Sequence, residues 1–78
     1  MDKDKIQKLI HELLTELGED PQREGLIKTP ERVANAWEYM ARGYKQNVKD
    51  VINGALFEEN ARGMVIVRDI EFYSMCEH

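Results

Sequence analysis

Met64-Val65-Ile66-Val67-Arg68-Asp69-Ile70-Glu71-Phe72-Tyr73-Ser74-Met75-Cys76-Glu77-His78 is the stretch on which the fold class turns. It is rich in β-branched and aromatic residues, the composition of a pleated, packed segment. Read as one regular strand, it places Met64, Ile66, Arg68, Ile70, Phe72, Ser74, Cys76 and His78 on one face. Val65, Val67, Asp69, Glu71, Tyr73, Met75 and Glu77 then share the other, because side chains alternate along a strand. Both faces begin apolar, as in a strand covered on both sides. A single strand cannot satisfy its own backbone N–H and C=O groups. The segment therefore calls for a sheet that these residues do not contain, or for a second copy of the chain.

Upstream the periodicity changes from two to that of a helix. Ile6, Leu9, Ile10, Leu13, Leu14 and Leu17 fall at i, i+3, i+4, i+7, i+8 and i+11. Asp2 or Asp4 can cap the start, and Gly18 stands where a left-handed glycine would end the helix. Lys5, Lys8, Glu12 and Glu16 read as a solvated face, and His11 as a surface residue. Gly18 to Thr29, broken by Pro21 and Gly25 and carrying Leu26 and Ile27, reads as a packed connection. Thr29 as N-cap, Pro30 at the first helical position and Glu31 in the first turn announce a second helix. Its stripe is Val33, Ala34, Trp37, Met40, Ala41 and Tyr44, weakened or ended at Gly43. The two stripes predict an antiparallel hairpin with Trp37 as its largest filler. Asn47 to Ile52 predicts a further helical turn, stopped by Asn53-Gly54. Leu56 and Phe57 are expected to dock onto the helices. There is no internal repeat.

The bulk composition narrows the class. Seventy-eight residues make one small domain at most, and a chain of this length buries only about 60% of its unfolded surface. The net charge of −4 gives no electrostatic reason to expect nucleic acid or an anionic membrane as partner. One cysteine cannot build an internal disulfide framework. The charged opening Met1-Asp2-Lys3-Asp4-Lys5 is not that of a signal peptide, and no run approaches the roughly 20 apolar residues of a membrane span. A soluble cytoplasmic protein is expected.

The residues that can carry chemistry stand at the end of the β-like segment. Thiolate and imidazole are preferred zinc ligands, and a neighbouring carboxylate can orient an imidazole or move protons. The shared parity of Cys76 and His78 would let both reach one ion. A zinc site takes at least three protein ligands, and this motif offers two good ones. The competing reading of Cys76 is an inert small apolar side chain. Arg32, in the first turn of the second helix, can join the helix N-terminus in holding an anion, or can be a solvated arginine.

Taken together the motifs point to one family. Gly18-Glu19-Asp20-Pro21, Arg23-Glu24-Gly25-Leu26 and Thr29-Pro30-x-Arg32-Val33 resemble the N-terminal part of GTP cyclohydrolase I of the bacterial type. Arg68-Asp69-Ile70, three residues, then Ser74-x-Cys76-Glu77-His78 resembles that family's first signature. The resemblance implies hydrolysis of GTP at C8 of the purine, release of formate and rearrangement to dihydroneopterin triphosphate, the first step toward tetrahydrofolate or biopterin. It implies a zinc ion held by two cysteines and a histidine. Cys76 matches the first zinc cysteine, His78 a histidine acting in proton transfer, and Arg32 an arginine that binds the triphosphate. Glu77 matches the motif without an assigned step. The family's zinc histidine follows directly on the position of His78, and its second cysteine lies further on. The resemblance thus pairs Cys76 with that neighbour, where parity paired it with His78.

The implied fold is α+β: antiparallel strands with helices outside, the tunnelling fold, assembled as a homo-oligomer, a toroidal decamer with active sites between subunits. Residues 1–62 would be its helical N-terminal region. Residues 63–78 would be the first core strand and the start of the zinc motif, with the sheet truncated there. These 78 residues alone are accordingly expected not to hydrolyse GTP. The alternative is a helical interaction module that associates with full-length subunits. A nucleic-acid-binding helix pair is disfavoured by the acidic balance.

Overall fold

A computed structural model describes residues 1–60 and 62–78. Helix α1 spans Lys3–Glu16, α2 spans Thr29–Met40, a 3-10 turn covers Arg42–Lys45, and the short helix α3 spans Val48–Ile52. Both ends of α1 are closed by the residues the sequence marks. The Asp2 side chain accepts from the Lys5 backbone N–H at 3.1 Å. At the other end Gly18 adopts φ +88°, and its N–H reaches the Thr15 carbonyl at 3.0 Å. The Glu19 N–H reaches back to Leu14 at 3.0 Å. This pair of bonds is a Schellman closure, which requires the left-handed residue that glycine provides without a Cβ clash.

The connection to α2 is a succession of turns. The Asp20 side chain accepts from Gln22 N–H at 3.0 Å, and the Arg23 carbonyl accepts from both Leu26 and Ile27. Leu26 and Pro21 are half-buried while Ile27 is exposed, so only part of this connection is packed. Helix α2 starts one residue earlier than the sequence predicts. Lys28, not Thr29, is the cap residue, and no side chain caps the helix. The reason is local: the Arg32 N–H already bonds the Lys28 carbonyl at 3.0 Å, taking the donor that a Thr29 hydroxyl would have served. Pro30 lies in the first turn and is buried.

The helices pack antiparallel, with Lys3 of α1 donating to Asn35 Oδ1 at 3.1 Å and lying 3.6 Å from Glu38. Ala34 is wholly buried at the seam. Ile6, Ile10 and Leu14 of α1 and Val33, Trp37 and Ala41 of α2 are half-buried. Trp37 thus takes its expected place along the seam. Leu9 and Leu13 remain 51% exposed, because the apolar stripe of α1 is wider than one partner helix can cover.

Two expectations fail. Tyr44 is 92% exposed, since the chain tightens into a 3-10 turn after α2 and loses the helical phase that would have carried Tyr44 to the seam. Leu56 and Phe57 are 77% and 84% exposed. The chain leaves α3 through two successive left-handed residues, Asn53 at φ 48° and Gly54 at φ 74°, and does not return Leu56 and Phe57 to the apolar surface that Leu9 and Leu13 leave open on α1. The start of α3 does follow its sequence signal: the Asn47 side chain accepts from Asp50 N–H at 2.8 Å.

Residues 62–78 form no strand ladder among the described residues. Asp69 adopts φ 54°, so the alternation of faces does not run unbroken from Met64 to His78. The radius of gyration, 19.4 Å, is well above the roughly 12 Å of a compact domain of this length. No described helix is long and apolar enough to cross a membrane.

Candidate functional site

Cys76 and His78 both lie beyond the break at Asp69, so their two-residue spacing keeps them on one side of the local backbone. Cys76 Sγ is 3.2 Å from His78 Nδ1 and 3.6 Å from its Nε2. Both residues are exposed, and the thiol is free. Zinc–sulfur and zinc–nitrogen bonds of ordinary length at a tetrahedral angle span a sulfur–nitrogen edge of roughly 3.5 Å. The 3.2 Å contact is shorter than that edge and places Sγ near both ring nitrogens, so it is a hydrogen-bond contact between thiol and imidazole. Among the described residues no group of three or more histidine, cysteine or carboxylate side chains is assembled for a metal.

Arg32 projects from the first half of α2 and is exposed. Among the described residues no hydrogen bond or ion pair joins it to Cys76, Glu77 or His78, so the structure brings the first two site residues together and leaves the third apart. His11 is exposed as predicted, with Gln22 Nε2 at 3.4 Å from its Nε2.

A second cluster escapes the sequence reading. The Glu71 carboxylate accepts from Tyr39 Oη at 2.9 Å through one oxygen and from Tyr73 Oη at 3.0 Å through the other. The two tyrosine rings meet edge to face with centroids 5.4 Å apart. Arg42 lies 4.2 Å from the centre of the Tyr39 ring and donates to the Tyr39 carbonyl at 2.9 Å. Hydrogen bonds from Tyr39 and Tyr73, aided by the Arg42 charge, hold the Glu71 carboxyl below its ordinary range. The same bond and the Glu71 charge push the Tyr73 phenol upward. Alternation along the chain already groups Glu71 with Tyr73 on one face. Nothing local could have brought Tyr39 to them.

The GTP cyclohydrolase I family profile matches residues 6–78. GTP cyclohydrolase 1 of Leptospira biflexa is 56% identical over 73 residues, covering 94% of this chain and 40% of that protein. GTP cyclohydrolase 1 of Campylobacter jejuni strain RM1221 is 58% identical over 74 residues, 95% of this chain and 39% of its own length. The Neurospora crassa protein of the same name is 53% identical over 75 residues, 96% of this chain and 24% of its own length. The chain thus spans 40% or less of these curated relatives. With its Cys76-Glu77-His78 motif inside the matched stretch, the chain belongs to the GTP cyclohydrolase I family.

Proposed function

We propose that these residues are the front part of a zinc-dependent GTP cyclohydrolase I, which hydrolyses GTP to formate and dihydroneopterin triphosphate. The observation that carries this reading is the family match running through Cys76-Glu77-His78. The Cys76 thiol in that motif is free and exposed, open to a metal. Cys76 would hold the metal as its thiolate. A zinc ion bound there would supply a water whose pKa is lowered to about 7.

His78 would accept and return a proton beside the purine, work suited to an imidazole near neutral pH. Arg32 would bind the triphosphate; its exposed guanidinium is a fixed charge with planar donors that match phosphate oxygens. The residues 64–73 would form the first core strand of a tunnelling-fold sheet. The exposed Val65, Ile66, Val67, Ile70 and Phe72 are the side chains such a sheet and its neighbours would cover. A toroidal homo-oligomer in the cytoplasm fits this reading. Purified by themselves, the 78 residues do not release formate from GTP on this account, because Cys76 and His78 fall short of a three-ligand site.

Reading the coding sequence past the His78 codon tests the proposal. The expected result is a histidine codon next and a second cysteine further on. A stop codon there would overturn it.

A further inference from the structure

The cluster around Glu71 lies outside the metal motif and has no role in the reaction proposed above. Its members come from two places distant in the chain: Tyr39 and Arg42 at the end of α2, Glu71 and Tyr73 from the segment leading into Cys76. Glu71 and Tyr73 share one side of that segment, while Phe72 between them is 78% exposed. One carboxylate uses both oxygens on two phenols, and the phenol rings also touch each other. Just beyond, Ser74 and Met75 line a groove with Met40, Ala41 and Tyr44.

We propose that Tyr39, Glu71 and Tyr73, with Arg42 against the Tyr39 ring, form a latch that fixes the Cys76–His78 segment on the C-terminal end of α2. They are positioning residues for the metal motif, and the inference rests on the proposed reaction only for what that segment carries. A bidentate contact suits the task. The bond from Tyr39 crosses to α2, the bond from Tyr73 holds the carboxylate turned toward it from within the segment, and a charged acceptor makes each stronger than a neutral one. The groups facing Glu71 are Tyr39 and Arg42 from α2 and the turn after it, and Tyr73 from its own segment. Protonating Glu71 removes the charge on which the latch is built.

The chain carries one tryptophan, Trp37, and one cysteine, Cys76, so energy transfer can read the latch without any engineered label site. With Tyr39 and Tyr73 in contact at 5.4 Å, Trp37 and an acceptor dye on Cys76 stand within roughly 20 Å, given about 3.4 Å per extended residue. With the latch open, the intervening chain behaves as a coil with a span of roughly 30 Å. The expected result is strong transfer in the native sequence and loss of most of it in Tyr39→Phe and Glu71→Gln. Tyr73→Ala, which lies outside every helix and removes the ring that meets Tyr39, should lose transfer with the helical signal unchanged. Acidification should lower transfer in the native chain and leave Glu71→Gln flat. Equal transfer in the native chain and Tyr73→Ala, or the same acid response in Glu71→Gln, would overturn the latch. No zinc or GTP enters the experiment, so a failed latch leaves the proposed reaction standing, and a failed reaction leaves the latch standing.

Discussion

Replacing Ala34 by leucine tests the helix pairing at its tightest point. Ala34 is 0% exposed, while every other apolar residue of the seam is only half covered. The one fully buried apolar side chain on α2 among those of the core is thus a single methyl. Leucine adds three carbons to a place with no free space, and extra methylenes in a packed seam cost about 1–3 kcal/mol. Each kcal/mol shifts the melting temperature of a domain of this size by about 4–8 °C. The far-UV circular dichroism melt of Ala34→Leu should therefore move down by about 4–24 °C. Ala36→Leu is the internal control. It makes the same chemical change two residues away at an exposed position, and such surface substitutions stay within about 0.5 kcal/mol. An Ala34→Leu melt at or above that of the native chain, or an equal fall in Ala36→Leu, would refute the packing argument.

Gly18→Ala should lower the stability by about 1–2 kcal/mol, the cost of a Cβ in left-handed backbone, and the same melt should fall with it. Nothing lies within 4 Å of the added carbon, so the loss is conformational, and an unchanged melt would show that the Schellman closure is not needed. Docking of residues 71–75 on α2 should be bounded on both sides in pH. The folded-state pKa of Glu71 is depressed, so its contribution is present above the ordinary carboxyl value and lost as pH falls through the depressed one. Tyr73 is raised, so its contribution is complete below the ordinary phenol value and lost as pH rises through the raised one. NMR titration of the tyrosine side chains should show Tyr73 ionising later than it does in Glu71→Gln; coincident curves would contradict the assigned contact.

What could be read from the sequence follows the range of the interactions. The ends of α1 depend on Asp2 and Gly18 acting within a turn of themselves, and both signals are met. The cap of α2 is Lys28, one residue before the Thr29 that residue preference favours, because the Arg32 N–H bonds the Lys28 carbonyl in place of a hydroxyl cap. Burial was less legible. Leu9, Leu56 and Phe57 look like core residues by type, yet covering them requires surfaces that the two helices do not supply. The same limit governs residues 64–73, whose composition is that of a strand but whose ladder depends on partners distant in sequence. Cys76 and His78 could be paired by spacing alone, because both lie on the same side of the bend at Asp69. The Tyr39–Glu71 bond could not, since its partners are 32 residues apart.

The central claim, that Cys76 belongs to the zinc site of a GTP-hydrolysing enzyme, is met most directly by assaying formate release from GTP. The sample is the zinc-loaded protein made from the whole reading frame that encodes these residues, beside its Cys76→Ala variant. The account predicts formate from the native protein, and loss of both formate and bound zinc in the variant. No formate from the native protein, or undiminished zinc and turnover in Cys76→Ala, would contradict it.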